Sequence, residues 1–403
     1  MKYIYGLNKS GQSIIDYLHS INEKFYCWDD DVKLRNKIKK NKKKLNLINF
    51  KKLDLKLIDE CYVTPGISLK NKNFKDFKKN KIKLVRDLEL YSRIVNDKKI
   101  IAITGTNGKS TTTKLISDML RINNIKNFSG GNIGIPLLEF KKMNDKIRHH
   151  VIELSSFQLE SAPSFNSFIS IILNISPDHL NRYRNFRDYV SQKMKIINND
   201  KNGFNIMVID DLNTMKIYNN NKKKIIPVSL KFIQKGIYFK DGYIVDNYFE
   251  KFKKINIKSI SSSLYGSFNV QNILVTYVVA KLLKLDIKKF LKIIKIFKGL
   301  PHRLEKIYIS DKLQIINNSK ATNIDSVIKS IENYENVRLI LGGSKNNEKF
   351  NQILDYKNNI IKIYIIGEGA KSIFAQLKND IDCEICNTLD IATQNIFYDL
   401  RDI

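Results

Sequence analysis

The chain has 403 residues, 43% of them hydrophobic, and its 70 Lys and Arg against 40 Asp and Glu give a formal net charge of +30. That length predicts two or three domains, each with its own core, and with no apolar run long enough for a bilayer and no signal-type apolar core near Met1 the expectation is a cytoplasmic protein without a membrane partner. The basic excess is spread as Lys among Asn and Ile, all with A/T-rich codons, and even Lys37–Lys44 carries no interleaved aromatics, so base-compositional drift accounts for it better than nucleic-acid binding.

Lys2 to about Ile94 reads as a first α/β unit. Tyr3-Ile4-Tyr5 leads into Gly6-Leu7-Asn8-Lys9-Ser10-Gly11, and Ile14, Ile15 and Leu18 then share one helical face: half of a dinucleotide fingerprint, weak alone. A strand over Lys24–Trp28 ends in Asp29-Asp30-Asp31, where a nucleotide-binding sheet places acids on a sugar or base; a solvated turn explains the spacing equally well. Cys61-Tyr62-Val63 then runs into Thr64-Pro65-Gly66-Ile67, a turn whose backbone can approach a ligand, and Leu84-Val85 gives a further short strand.

The strongest signal opens the second unit. An apolar strand, Ile100 to Thr104, ends in Gly105-Thr106-Asn107-Gly108-Lys109-Ser110-Thr111, and a helix pattern follows with Leu115, Met119 and Leu120. Backbone N–H groups and the positive helix end converge there, Lys109 adds a cation, and the Ser110 hydroxyl can join a phosphate-bound Mg2+. Ile103 stands where the usual phosphate loop has its first glycine, so the motif is a variant. A ligand-free tight turn would explain the glycines but not Gly-Lys-Ser-Thr at a helix start.

Next come Ser129-Gly130-Gly131-Asn132-Ile133-Gly134, a glycine-rich loop offering Asn132, and His150 to Glu153, a buried strand delivering a carboxylate at its carboxyl end. A strand over Phe168–Asn174 leads to Ser176-Pro177-Asp178-His179, and the helix beyond carries Lys193, for which spacing alone favours a surface lysine. Short β pieces turn at Asp241-Gly242, and Tyr265-Gly266 opens a long helix, read as amphipathic, with Asn269 and Asn272 on one face. That pair can read a purine edge, although a helix cap would also use Asn269.

A third unit starts at Gly299-Leu300-Pro301-His302-Arg303, with Arg303 placed to swing onto phosphate. Strands over Leu313–Ile316, Val337–Leu341 and Lys362–Ile366 each run into a polar loop and predict a parallel open sheet, followed by one helical segment. Of the four cysteines, Cys383 and Cys386 form a C-x-x-C with no second pair or nearby His, a chance spacing in a reduced protein.

Taken together, TGTNGKST, GGNIG, ELSSFQLE, DHLNRY, LPHR and SKATN, in that order, resemble the Mur ligase family over nearly the whole chain, and SKATN with the upstream TPGI resembles its D-glutamate-adding branch. The resemblance implies a three-domain α/β architecture: a Rossmann-like UDP-substrate domain over residues 1–95, a central P-loop ATPase-type domain over 96–298, and a Rossmann-like third domain over 299–403. It implies a monomeric, ATP-dependent ligase of peptidoglycan synthesis that joins D-glutamate to UDP-N-acetylmuramoyl-L-alanine through an acyl phosphate. By motif match, Gly105 to Thr111 hold the ATP phosphates with Lys109 on the β and γ groups. Ser110, Glu153, His179 and a carbamylated Lys193 hold Mg2+ at two sites. Asn269, Asn272, Arg303 and Asn318 contact the nucleotide, and Asp29, Asp30, Asn132, Ser155, Gln158, Arg182, Lys320 and Thr322 the substrates. Three departures accompany it. Asn318 stands where the family has Asp, Lys345 is offset from the family's lysine with Asn346 at the matching spot, and the Ser-Pro-Ala-x-Ala-Ser segment expected beyond Ile403 is not in the sequence. The third domain is therefore expected to be truncated, and the alternative reading is an impaired remnant that binds nucleotide or UDP-substrate only.

Overall fold

The computed structural model describes residues 1–41, 45–95, 99–143, 147–178, 182–198, 200, 202–332, 334–343 and 349–400. They form two compact units, Met1–Ser261 with Asn269–Phe297, and Ser262–Phe268 with Lys298–Ile403.

The first unit begins with a parallel sheet of β1 (Lys2–Tyr5), β2 (Phe25–Trp28), β3 (Glu60–Val63) and β4 (Lys83–Val85) in the order β2-β1-β3-β4. Side chains alternate between faces, so Tyr3, Tyr5, Cys61 and Val63 pack with Phe74 and Phe77 on one side, while Ile4, Cys27 and Tyr62 pack with Ile14, Ile15 and Leu18 on the other. Both faces are covered, as a parallel sheet requires. The chain reverses its direction of growth between β1 and β3, the point beyond whose carboxyl ends open parallel sheets take their ligands. The loops that follow these two strands touch: a Cβ on Gly6 would lie 1.9 Å from Thr64 Oγ1, and Gly6 has φ +104°, so only glycine fits.

The central sheet contains β5 (Lys99–Thr104), β6 (Asn127–Gly131), β7 (His149–Glu153), β8 (Ile169–Ile172), β9 (Phe204–Val208), β10 (Ile225–Ser229), β11 (Ile237–Lys240), β12 (Tyr243–Asp246) and β13 (Lys253–Asn256). Its order is β13-β12-β11-β10-β9-β8-β5-β7-β6, parallel up to β11 and antiparallel beyond it. The antiparallel turn sits at Asp241 (φ 51°) and Gly242 (φ 83°), the positive-φ pair that a tight hairpin needs. Here the switch of direction falls between β5 and β8, beside the phosphate loop. One apolar cluster joins this sheet to the first, running from Ile14 and Leu88 through Tyr91 and Phe128 to Ala102 and Ile152. The helix Ser267–Leu282 is not amphipathic: every residue from Asn272 to Ala280 is buried, because β-branched and apolar side chains occupy all its faces.

The second unit corrects the reading of three parallel strands. Leu313–Ile316 belongs to β15 (Gln314–Asn317), which pairs antiparallel with β14 (Glu305–Ile309), a strand the sequence reading passed over. A short turn closed by Ser310 N–H donating to Leu313 O leaves no room for the crossover that parallel pairing needs. The parallel sheet is instead β16 (Val337–Gly342), β17 (Ile360–Ile366) and β18 (Cys383–Asn387). The C-x-x-C lies on β18, with Cys386 buried and Cys383 half-buried, neither in a disulfide. Among the described residues no helix is long and apolar enough to cross a membrane.

Candidate active site

The carboxyl ends of β5, β7, β6 and β8 bring the central motifs together. The turn after β5 holds Gly105 and Gly108 at φ +156° and +83°, and the helix Lys109–Ile122 starts directly behind it. A Cβ on Gly108 would lie 2.7 Å from Asn272 Oδ1, so the backbone conformation and the helix beneath it both demand glycine. Asn272 Oδ1 accepts from Thr112 Oγ1 at 3.0 Å and its amide donates to Asn269 Oδ1 at 3.1 Å. Both asparagines are buried, with Asn272 tying the two helices under the loop.

Asn174, just past β8, holds the loop from its other side and was not singled out from sequence. Its Oδ1 accepts from the backbone N–H of Thr106 (3.1 Å) and Asn107 (2.8 Å), and its Nδ2 donates to Asn107 O at 3.0 Å. An asparagine ending the strand next to the direction switch is the signal that would have found it. Thr106 is fixed further: its Oγ1 donates to Ser176 O, accepts from Ser176 N–H, and lies 3.0 Å from Tyr189 Oη.

Two lysines converge on one carbonyl of this loop. Lys109 Nζ donates to Gly105 O (2.9 Å) and Thr106 O (2.7 Å), and Lys193 Nζ donates to the same Gly105 O at 2.7 Å. Lys193 is only 2% exposed. Burial, and then the neighbouring Lys109 charge, hold its pKa well below the usual lysine range, with Asp178 and Glu153 pulling the other way. Far from the surface position that spacing favours, it lies buried against the glycine turn. Ser110 Oγ donates to Glu153 Oε2 at 2.6 Å, and Asn132 Nδ2 donates to Glu153 Oε1 at 3.0 Å. Glu153 is buried, and the Asn132 N–H donates to its carbonyl at 2.9 Å. A Cβ on Gly131 would come within 2.2 Å of that carbonyl, which is why the glycine run belongs beside β7. Lys109, Ser110, Asn132, Glu153 and Lys193 thus share one locus, with Thr111 in the first helical turn. His179, Lys345 and Asn346 lie outside the described residues.

Other expected contacts have local tasks. Ser155 and Gln158 form a capping box on the short helix Ser156–Leu159, and Gln158 Nε2 reaches Asp87 Oδ2 at 3.4 Å. Arg182 donates to Pro65 O (3.2 Å) and Gly66 O (2.9 Å), its guanidinium 4.3 Å over the Phe157 ring. Asp29 is buried and accepts from the N–H groups of Leu7 (2.7 Å) and Asp31 (2.9 Å), which knots the loop after β1. Asp30 is exposed, accepting from Tyr5 Oη (2.6 Å) and Trp28 Nε1 (3.2 Å). In the second unit the Leu300–Glu305 turn and the Asn317–Asn323 loop meet: Asn318 Oδ1 accepts from Leu304 N–H (3.3 Å) and Lys320 N–H donates to His302 O (3.1 Å). Arg303, Asn318, Lys320 and Thr322 are therefore close in that unit, Lys320 and Thr322 exposed.

Residues 103–280 match the family model of the Mur ligase middle domain. A curated UDP-N-acetylmuramoylalanine–D-glutamate ligase of Rickettsia bellii is 35% identical, the alignment covering 98% of this chain and 88% of that protein. Among solved structures, UDP-N-acetylmuramate–alanine ligase MurC from Thermotoga maritima matches with a TM-score of 0.62 at 16% identity, over 96% of this chain and 90% of that one. The MurF ligase of Thermotoga maritima in complex with ADP matches with a TM-score of 0.51 at 13% identity, over 86% and 95%. The variant phosphate loop, the buried Ser110–Glu153 pair and the sequence identity over almost the full length agree: the chain belongs to the Mur ligases, in the family of the UDP-N-acetylmuramoylalanine–D-glutamate ligases.

Proposed function

We propose that this chain is a cytoplasmic ligase that uses ATP to join D-glutamate to UDP-N-acetylmuramoyl-L-alanine in peptidoglycan synthesis. The observation that carries the reading is the meeting of Lys109, Lys193, Ser110 and Glu153 around one glycine turn. In this reading residues 1–95 take the UDP-linked substrate, 96–298 ATP, and 299–403 supply Arg303, Asn318, Lys320 and Thr322.

The substrate carboxylate attacks the γ-phosphorus of ATP, expelling ADP and forming an acyl phosphate. The amine of D-glutamate, having lost a proton, then adds to the acyl carbon, and the tetrahedral intermediate collapses by expelling phosphate. Several anions must meet, so the protein's work is positioning and charge cancellation. The N–H groups at the start of the helix Lys109–Ile122 and the Lys109 ammonium cradle the phosphates, and Asn132 orients Glu153. A hydroxyl and a carboxylate 2.6 Å apart are hard oxygen donors, and Ser110 and Glu153 would hold Mg2+ there. When bound, that ion polarises the γ-phosphate and offsets its charge. An ammonium at Lys193 would repel it. As a neutral amine Lys193 can add CO2 and release a proton, becoming a carbamate that supplies oxygens beside the same turn.

The test is phosphate release with UDP-N-acetylmuramoyl-L-alanine and ATP, with and without D-glutamate. Turnover that requires D-glutamate supports the reading; none with any amino acid would leave a chain that only binds nucleotide or UDP-substrate.

A further inference from the structure

Arg86 is a fully buried cation that nothing in the chemistry above uses. Its Nη1 donates to Val63 O (3.1 Å), Thr64 O (2.8 Å) and Ile67 O (2.9 Å), and its Nη2 pairs with the Glu160 carboxylate. The Nε has no partner among the described residues. Arg182 takes the two carbonyls between, Pro65 O and Gly66 O. Five successive carbonyls of one irregular turn are thus gathered by two guanidiniums, and the turn follows β3 at the carboxyl edge of the first sheet, beside the end of β1.

A buried ion pair is a poor way to stabilise a fold, since apolar side chains of similar volume do as well or better. What the guanidinium gives is shape: a planar fork that fixes several carbonyls at once. Its other arm fixes a second element. Glu160 ends the segment that starts at Glu153, and its own carbonyl accepts from Lys195 Nζ at 2.7 Å, two residues beyond Lys193. Two further bonds run alongside: Arg86 N–H donates to Ser161 O (3.2 Å) and the Ser161 hydroxyl to Leu84 O (2.8 Å).

We infer that Arg86 is a positioning residue for the UDP-linked substrate, setting the Val63–Ile67 turn and holding it, through Glu160, at a fixed distance from the phosphate centre at Glu153. The inference rests on the proposed function for the identity of that substrate and for its binding by residues 1–95.

The experiment compares wild type, Arg86→Lys and the double variant Arg86→Met/Glu160→Gln, which removes both charges at nearly constant volume. Ligase kinetics are paired with calorimetric titration of UDP-N-acetylmuramoyl-L-alanine in the absence of ATP. Expected is a Kd and a KM for the UDP-substrate raised about tenfold, roughly one lost hydrogen-bonded contact, with the KM for ATP within twofold of wild type. A merely structural residue would not split the two substrates. A UDP-substrate Kd within twofold of wild type in the folded variants, an equal weakening of ATP, or failure of both variants to fold would overturn the inference. Wild type that binds the UDP-substrate yet shows no ligase turnover would sink the proposed reaction while the Kd comparison still tests Arg86. Wild type that binds none would sink both.

Discussion

Replacing Asn174 by Ala removes three side-chain hydrogen bonds from the phosphate loop, at 3.1, 2.8 and 3.0 Å, without touching any ligand-facing group. Each such bond contributes about 0.5–1.5 kcal/mol net. The Thr106 N–H keeps a second acceptor, the Asn174 carbonyl at 2.9 Å, so the loss falls mainly on the two backbone groups of Asn107. A figure of about 2 kcal/mol for ordering the loop follows, and it should appear in ATP binding as an increase of about 30-fold in KM. The assay is phosphate release against ATP concentration at saturating UDP-substrate and D-glutamate. Thermal unfolding serves as control, since the sheet itself is untouched. Asn174→Asp sharpens the test: it keeps both acceptor bonds but loses the donor to Asn107 O and sets a negative charge beneath a phosphate site, so ATP should bind still more weakly than in the alanine variant. A folded Asn174→Ala enzyme with an ATP KM within twofold of wild type would refute the claim that this side chain shapes the loop.

Gly131→Ala drives a methyl group to 2.2 Å from the Glu153 carbonyl at a φ of +117°, so it should cost about 2–4 kcal/mol and lower Tm by about 5–10 °C, read by calorimetry. An unchanged Tm would mean that the two strands are not so tightly apposed. Burial alone would raise the Glu60 carboxyl, but the Arg93 fork, with bonds of 2.9 and 2.8 Å, holds its pKa below the usual carboxylate range. Because the folded value is depressed, the pair's stabilisation is present above the unfolded value of about 4.3 and disappears as pH falls through the folded one. Glu60→Gln should therefore lower urea stability by about 1–3 kcal/mol at pH 7, discounted for the partly exposed Arg93, and by less as the pH is lowered to about 3. The same loss at both pH values would contradict the assignment. If Lys193 carries a carbamate, stripping CO2 and bicarbonate should reduce turnover and adding bicarbonate restore it, and 13C-labelled bicarbonate should give an NMR carbamate signal that Lys193→Arg lacks. A turnover indifferent to bicarbonate, with no such signal, would leave the lysine a plain amine.

How far the candidate site can be read in the chain depends on the kind of motif. The turn Gly105–Gly108 and the helix after it are local events, set by backbone freedom at glycine and by the helix formers that follow, so their place was plain from residue order. Asp29 was ambiguous because a ligand contact and a backbone knot ask for the same acceptor; the N–H groups of Leu7 and Asp31 take it in the structure. Asn174 and Arg86 were missed for the opposite reason. Their partners are distant in sequence, Thr106 and Asn107 for one, Val63 to Ile67 and Glu160 for the other, and no local pattern marks them.

By itself the sequence determined the α/β class, the phosphate turn and the strand that carries Glu153, since alternating or continuous apolar runs and glycine punctuation act within a few residues. Only the tertiary structure decided that Lys193 lies buried against Lys109 on the Gly105 carbonyl and not at the surface, that the Ser267–Leu282 helix is enclosed, and that β15 folds back on β14. Those outcomes depend on which distant surfaces cover one another, and burial, with the desolvation it imposes on a charge, is a property of the packed chain and not of any segment.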